Sequence, residues 1–148
     1  MKNTFGFLVT WLIILIAPVW ASTASIKKDK VNVRSAPRLK SDVLFQAHLG
    51  YPVEVATTKG KWAKIKDWQG NVGWVYRPLI SRKVHTAVIM PERVNIRKGP
   101  GLRYGVVAQA ECGEVYKVFK KKNGWVKVGY YLENQQVGWI RHDLVWGE

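Results

Sequence analysis

The stretch VNVRSAP, Val31 to Pro37, returns as VNIRKGP, Val94 to Pro100, and the two copies set an offset of 63 residues. The offset persists through Gly50 and Gly113, Val55 and Val118, and Trp62 and Trp125. Past the tryptophans the second copy gains two residues, so that VGWV at Val72 to Val75 answers VGWI at Val137 to Ile140. The gain falls in GYYLENQQ, which reads as a loop. A chain of 148 residues that spells one unit twice is constrained to two small bodies, and a body of about 60 residues buries only a modest share of its surface.

Within each copy the runs are short, rich in Val, Ile, Trp and Tyr, and punctuated by Gly, Pro, Asn and Asp. That is the texture of small antiparallel barrels or sandwiches, and no helix of useful length is expected. In GWVKV the branched Val126 and Val128 alternate with Trp125 and Lys127, placing one set inward and the other outward, and KWAKIK repeats the pattern from Trp62 to Lys66. Trp74 and Trp139 recur in both copies and are expected to close the barrels. Gly99, Pro100 and Gly101 form a strong turn signal, but the first copy has Ala36 and Arg38 where these glycines stand.

Ahead of the first copy, Lys2 precedes an apolar run from Phe5 to Trp20 that carries no charge, followed by small residues. This reads as a signal peptide over residues 1–21, with Val19 and Ala21 suiting one cleavage point and Ser22 and Ala24 another. Retention as a membrane anchor is the alternative, although the run lies at the short limit for spanning a bilayer, where roughly 20 residues are usual. The expected location is outside the cytoplasm, periplasmic or associated with the cell envelope, and membrane-anchored if the leader is uncleaved. The expected division is 24–80 for the first unit, 81–85 for a short connector, and 86–146 for the second.

The motifs VNIRKGPGLRYGVVAQAECGE, GWVKV and VGWI, in that order, resemble the bacterial Src-homology-3 (SH3b) family, and VNVRSAPRLKSDVLFQAHLGYPVEV, KWAKIK and VGWV resemble it again. The resemblance implies an all-β fold: two small SH3-like β-barrels in tandem behind the signal segment, each of five or six strands. It also implies binding rather than catalysis, commonly of cell-wall peptides or glycans, or of protein partners in the envelope. Ala36 and Arg38 depart from the family's glycines, so the first long loop is expected to close differently from the second. The aromatic-lined groove that docks proline-rich helices has no counterpart in the composition of the loops.

No catalytic constellation accompanies these units. Cys112 stands alone, which rules out an internal disulfide; it aligns with apolar Leu49 and is expected to be a buried, inert thiol. His48, His85 and His142 have no metal-site spacing, and Asp67, Glu133 and Asp143 form no carboxylate pair for glycoside cleavage. Neither an enzyme, a metal nor a cofactor is expected.

Recognition is better sought among aromatics that the two copies do not share, namely Trp68, Tyr76, Tyr104, Tyr130 and Tyr131, together with outward-facing Trp62 and Trp125. Arg97 and Arg103 complete the candidate ligand-binding set. The chain has 24 Lys and Arg against 10 Asp and Glu, a net charge of +14, which favours anionic partners. The leading expectation is an exported, non-enzymatic tandem binding protein that recognises peptidoglycan through peptide or glycan. An adaptor or accessory subunit for an envelope enzyme or sensor is the alternative, and anionic membrane surface is a further contact. Basic residues among aromatics also suit nucleic acid, but the export signal argues against that partner.

Overall fold

The computed structural model describes residues 22–148; the expected leader lies outside them. The first body contains β1 (Ser22–Ile26), β2 (Val31–Arg34), β3 (Val43–Ala47), β4 (Pro52–Lys59), β5 (Trp62–Lys66) and β6 (Val72–Tyr76). A 3₁₀ turn, Arg77–Leu79, then leads to β7 (Ile80–Ser81). The second repeats this as β8 (Thr86–Ile89), β9 (Arg93–Arg97), β10 (Val106–Glu111), β11 (Val115–Lys122), β12 (Trp125–Gly129) and β13 (Gln136–Arg141). A second 3₁₀ turn, His142–Leu144, precedes β14 (Val145–Trp146). The antiparallel sheets run β3-β2-β6-β5-β4-β1-β7 and β10-β9-β13-β12-β11-β8-β14, one topology built twice. Each has seven strands because a two-residue strand follows the 3₁₀ turn and pairs with the body's first strand.

Alternation sets the cores. Ala63 and Ile65 on β5, and Val126 and Val128 on β12, are fully buried, while Trp62, Lys64, Trp125 and Lys127 lie on the opposite side. Ile26, Val33, Val53 and Val75 fill the first core, and Ile89, Ile96, Val128 and Ile140 the second. The repeated VGW has a packing cause, because β2 meets β6 at a single pair, Arg34 with Trp74, and β9 meets β13 at Arg97 with Trp139. A Cβ on Gly138 would stand 2.5 Å from the Arg97 carbonyl oxygen and 2.8 Å from Ile96 Cγ2, and one on Gly73 would run into Val33. Only a residue without a side chain lets these strands cross.

Two expectations are corrected here. Trp74 is only half-buried, alternating with the inward Val75, whereas Trp139 is buried, 7% exposed, at the β9–β13 closure and beneath Lys127, whose Nζ is 5.8 Å from the ring centroid. Cys112 is exposed, because it sits in the tight turn between β10 and β11, with Sγ 3.2 Å from the Met90 carbonyl oxygen. Its counterpart Leu49 is likewise a turn residue and only partly covered, so apolar identity there does not signal the core.

The two bodies touch. Ser25 Oγ, fully buried in the first, donates to the Val84 carbonyl of the connector at 2.8 Å, and the next carbonyl, of His85, accepts from Val118 N in the second at 2.9 Å. Val115 of β11 packs onto the first core. Gly50 of the first body, at a φ of 78°, lies against the ring of Tyr131 in the second. Among the described residues no helix is long and apolar enough to cross a membrane.

Candidate functional site

The long loop after β2, and its counterpart after β9, forms one wall of a groove in each body. Both close with the same backbone bonds: Ser35 N to Asp42 O and Lys98 N to Gly105 O, then Ser41 N to Arg38 O and Tyr104 N to Gly101 O. Arg34 donates from Nη1 to the Ser41 carbonyl at 2.8 Å, and Arg97 donates from Nη1 to the Tyr104 carbonyl at 2.9 Å. The loops therefore do not close differently, contrary to the expectation from Ala36. In the second, the Tyr104 ring covers Gly99 so closely that a Cβ there would overlap it. In the first, small Ser41 replaces the ring and donates its hydroxyl to the Ala36 and Arg38 carbonyls, leaving room for alanine.

Under these loops lie two equivalent grooves. The first is lined by Asn32, Arg34, Leu39, Trp62, Tyr76 and Leu79, with Lys28 and Lys30 on its margin. The second is lined by Asn95, Arg97, Leu102, Trp125, Arg141 and Leu144, with Arg93 beside them. Every position in the first six answers its partner through the repeat, and one changes chemistry: Tyr76 becomes Arg141. In the first groove the Trp62 and Tyr76 rings meet edge to face, with centroids 5.8 Å apart. In the second, Arg141 pairs across the strands with Trp125, and its guanidinium grips Asp143 by Nε at 2.6 Å and Nη2 at 2.7 Å. That pairing holds the Asp143 carboxyl below, and the guanidinium above, their ordinary ranges. Leu39 and Leu102 are 74% and 68% exposed at the loop tips, leaving apolar surface beside each tryptophan for a ligand to cover.

The hairpin after β5 differs more deeply from that after β12. Asp67 is buried and accepts from Tyr51 Oη at 3.0 Å, Gln69 N at 3.0 Å, Asn71 N at 2.8 Å and Asn71 Nδ2 at 2.9 Å, fixing a tight turn. Burial first, then the Asp67 charge, pushes the Tyr51 phenol up to about 12. The repeat places Tyr130 where Asp67 stands and Glu114 where Tyr51 stands, so the carboxylate and the phenol exchange places. The corresponding loop, Tyr130 to Gln135, carries the two residues gained by the second copy and lacks the aspartate's bonds, and Tyr131 in it reaches Gly50 of the first body. There Tyr130, Tyr131, Leu132 and Glu133 face His48, Leu49 and Asp29 across a cleft of about 510 Å³.

The structure thus sorts the nine candidate residues. Trp62 and Tyr76 share the first groove, and Arg97 and Trp125 the second. Tyr130 and Tyr131 line the cleft between the bodies. Trp68 packs against the first core, Tyr104 is folded over Gly99, and Arg103 is exposed on the loop beside it. Sequence reasoning missed Leu39 and Leu102, although an apolar residue recurring at the same point of two otherwise polar loops was a signal for them. It also missed Leu79 and Leu144, which reach the grooves because the 3₁₀ turns fold back, and Arg141, which β13 sets across from Trp125.

Residues 27–82 match a family model described as a bacterial SH3 domain, and residues 92–145 match a second model of the same description. Over 132 residues the chain is 27% identical to YrvJ of Bacillus subtilis (strain 168), named as an N-acetylmuramoyl-L-alanine amidase. That match covers 82% of this chain and 25% of the amidase, so the chain spans about a quarter of that relative's length. Among solved structures, NlpC2 from Trichomonas vaginalis is similar with a TM-score of 0.38 at 11% identity, covering 86% of this chain and 48% of that one. The endolysin LysPBC5 CBD is similar with a TM-score of 0.34 at 18% identity, covering 87% and 95%. The chain belongs to the bacterial SH3 family and carries two of its domains in tandem.

Proposed function

We propose that this chain is an exported, non-catalytic cell-wall-binding protein whose two grooves hold peptide or glycan segments of peptidoglycan. The observation that carries the reading is the groove built twice from the same positions, each with a tryptophan, an exposed leucine and an arginine. Aromatic faces stack on sugar rings and peptide planes, and guanidiniums give charge-assisted hydrogen bonds to the carboxylates of wall peptides. The similarity to a protein named as an N-acetylmuramoyl-L-alanine amidase supports the same class of target, and the uncharged run Phe5 to Trp20 behind Lys2 supports export. Two grooves on one chain suit a polymer that offers many copies of one epitope.

Co-sedimentation of the whole chain with purified sacculi across a salt series tests the proposal. Binding that survives high salt is expected, since stacking and apolar contact are not screened. Binding that vanishes with salt would reduce the interaction to bulk charge, and no binding at any salt would favour the adaptor.

A further inference from the structure

The cleft between the bodies has the opposite character to the grooves. In a chain of net charge +14, it gathers two carboxylates, Asp29 and Glu133, and among the described residues no lysine or arginine lines it. Both carboxylates are exposed and neither makes a hydrogen bond or ion pair with another described side chain. The turn that carries Asp29 also separates the charges around it, because Lys28 and Lys30 line the first groove while Asp29 borders both that groove and the cleft. The remaining walls are His48 and a set of apolar and aromatic side chains: Tyr130, 46% exposed, Leu132, 80% exposed, Tyr131 and Leu49. The Tyr131 ring lies against Gly50, which brings this surface up to the first body.

We infer that the interdomain cleft is a second binding site, one that takes a primary ammonium group on an aliphatic stem, as a diamino-acid side chain presents it. The stem lies along Leu49 and Leu132, the ammonium meets the tyrosine faces, and the two carboxylates neutralise it. Because Asp29 is common to the cleft and the first groove, one peptide can set a carboxylate among Lys28, Lys30 and Arg34 and an ammonium in the cleft. The site needs both bodies and the two-residue gain of the second copy, so neither domain alone contains it. It does not depend on the wall being the ligand of the grooves.

The test is a titration of the ¹⁵N-labelled whole chain with Nα-acetyl-lysine amide, beside Nα-acetyl-norleucine amide, which has a similar stem without the ammonium. The lysine compound is expected to shift the amides of His48 to Gly50 and Tyr130 to Glu133 and to bind about fivefold more tightly. The double variant Asp29→Asn, Glu133→Gln should lose that advantage while keeping its thermal midpoint, as both side chains are exposed. Equal binding of the two compounds, shifts confined to the grooves, or an unaltered preference in the double variant would each overturn the inference. Sacculus binding by Glu133→Gln alone, a change outside both grooves, is a separate readout: its survival leaves the groove proposal standing whatever the cleft does.

Discussion

Two tyrosines are held in place by carboxylates, in different ways in the two domains. Tyr51 donates to the buried Asp67, whereas Tyr116 donates to Glu114 Oε2 at 2.9 Å and stands 6.0 Å, centroid to centroid, from the ring of Tyr130. Burial and then the neighbouring carboxylate raise both phenols, Tyr51 from 10.0 to about 12 and Tyr116 in the same direction. A folded-state pKa above the unfolded one means that the folded chain holds the proton where the unfolded chain has released it. The contribution is therefore complete below pH 10.0 and is lost as pH rises toward about 12. Stability measured by urea unfolding across that window should fall by up to about 1.4 kcal/mol per pH unit for each tyrosine. Tyr51→Phe should be less stable at neutral pH, having orphaned part of Asp67, but its stability should fall less steeply with alkali. A slope identical to that of the unaltered chain would show that Tyr51 does not ionise with unfolding.

At the scale of the element, the long loops show what the repeat made legible and what it concealed. The shared asparagine and arginine of VNVR and VNIR mark the strand that begins each loop, and the alternation of residue types along β5 and β12 is enough to mark their inward faces. The glycine pattern misled, because Ala36 looked like a departure when it is one half of a paired exchange: ring over glycine in one loop, hydroxyl over alanine in the other. Covariation of that kind is visible only when the contact is known. It predicts a mutational cycle in which Gly99→Ala costs about 1 to 2 kcal/mol by displacing the Tyr104 ring. Adding Tyr104→Ser, which recreates the first loop's pattern, should recover most of that loss, and the coupling should be read from denaturant unfolding of the single and double variants. Additive losses would mean that the ring and the glycine are independent and that Tyr104 owes its position to something else.

Across the whole molecule, the tandem architecture was legible because a register held over so many residues admits few alternatives, and the two sheets are the same topology written twice. The cleft was not legible, since it is not complete within one repeat: it needs two turns of the first domain and the lengthened hairpin of the second. Tyr130 and Tyr131 could be suspected as unshared aromatics, but not their meeting with His48 and Leu49. The two domains touch at Val84, Val115 and Gly50, and the separation of the grooves would decide how they engage a polymer. If one strand of wall or two neighbouring strands can occupy both, the second engagement is intramolecular and gains affinity without any new contact. Trp62→Ala and Trp125→Ala should then each weaken sacculus binding by about one to two orders of magnitude, because either loss removes the whole avidity gain, while each remaining groove retains a similar weak affinity. The double variant should bind no better than bulk charge allows and should lose what remains as salt rises. Both tryptophans are only half-buried and lie outside the core clusters, so thermal midpoints measured alongside should stay close to that of the unaltered chain. If one single variant instead matched the double and the other matched the unaltered chain, a single groove would bind and the exchange of Tyr76 for Arg141 would mark the domain that had taken another task.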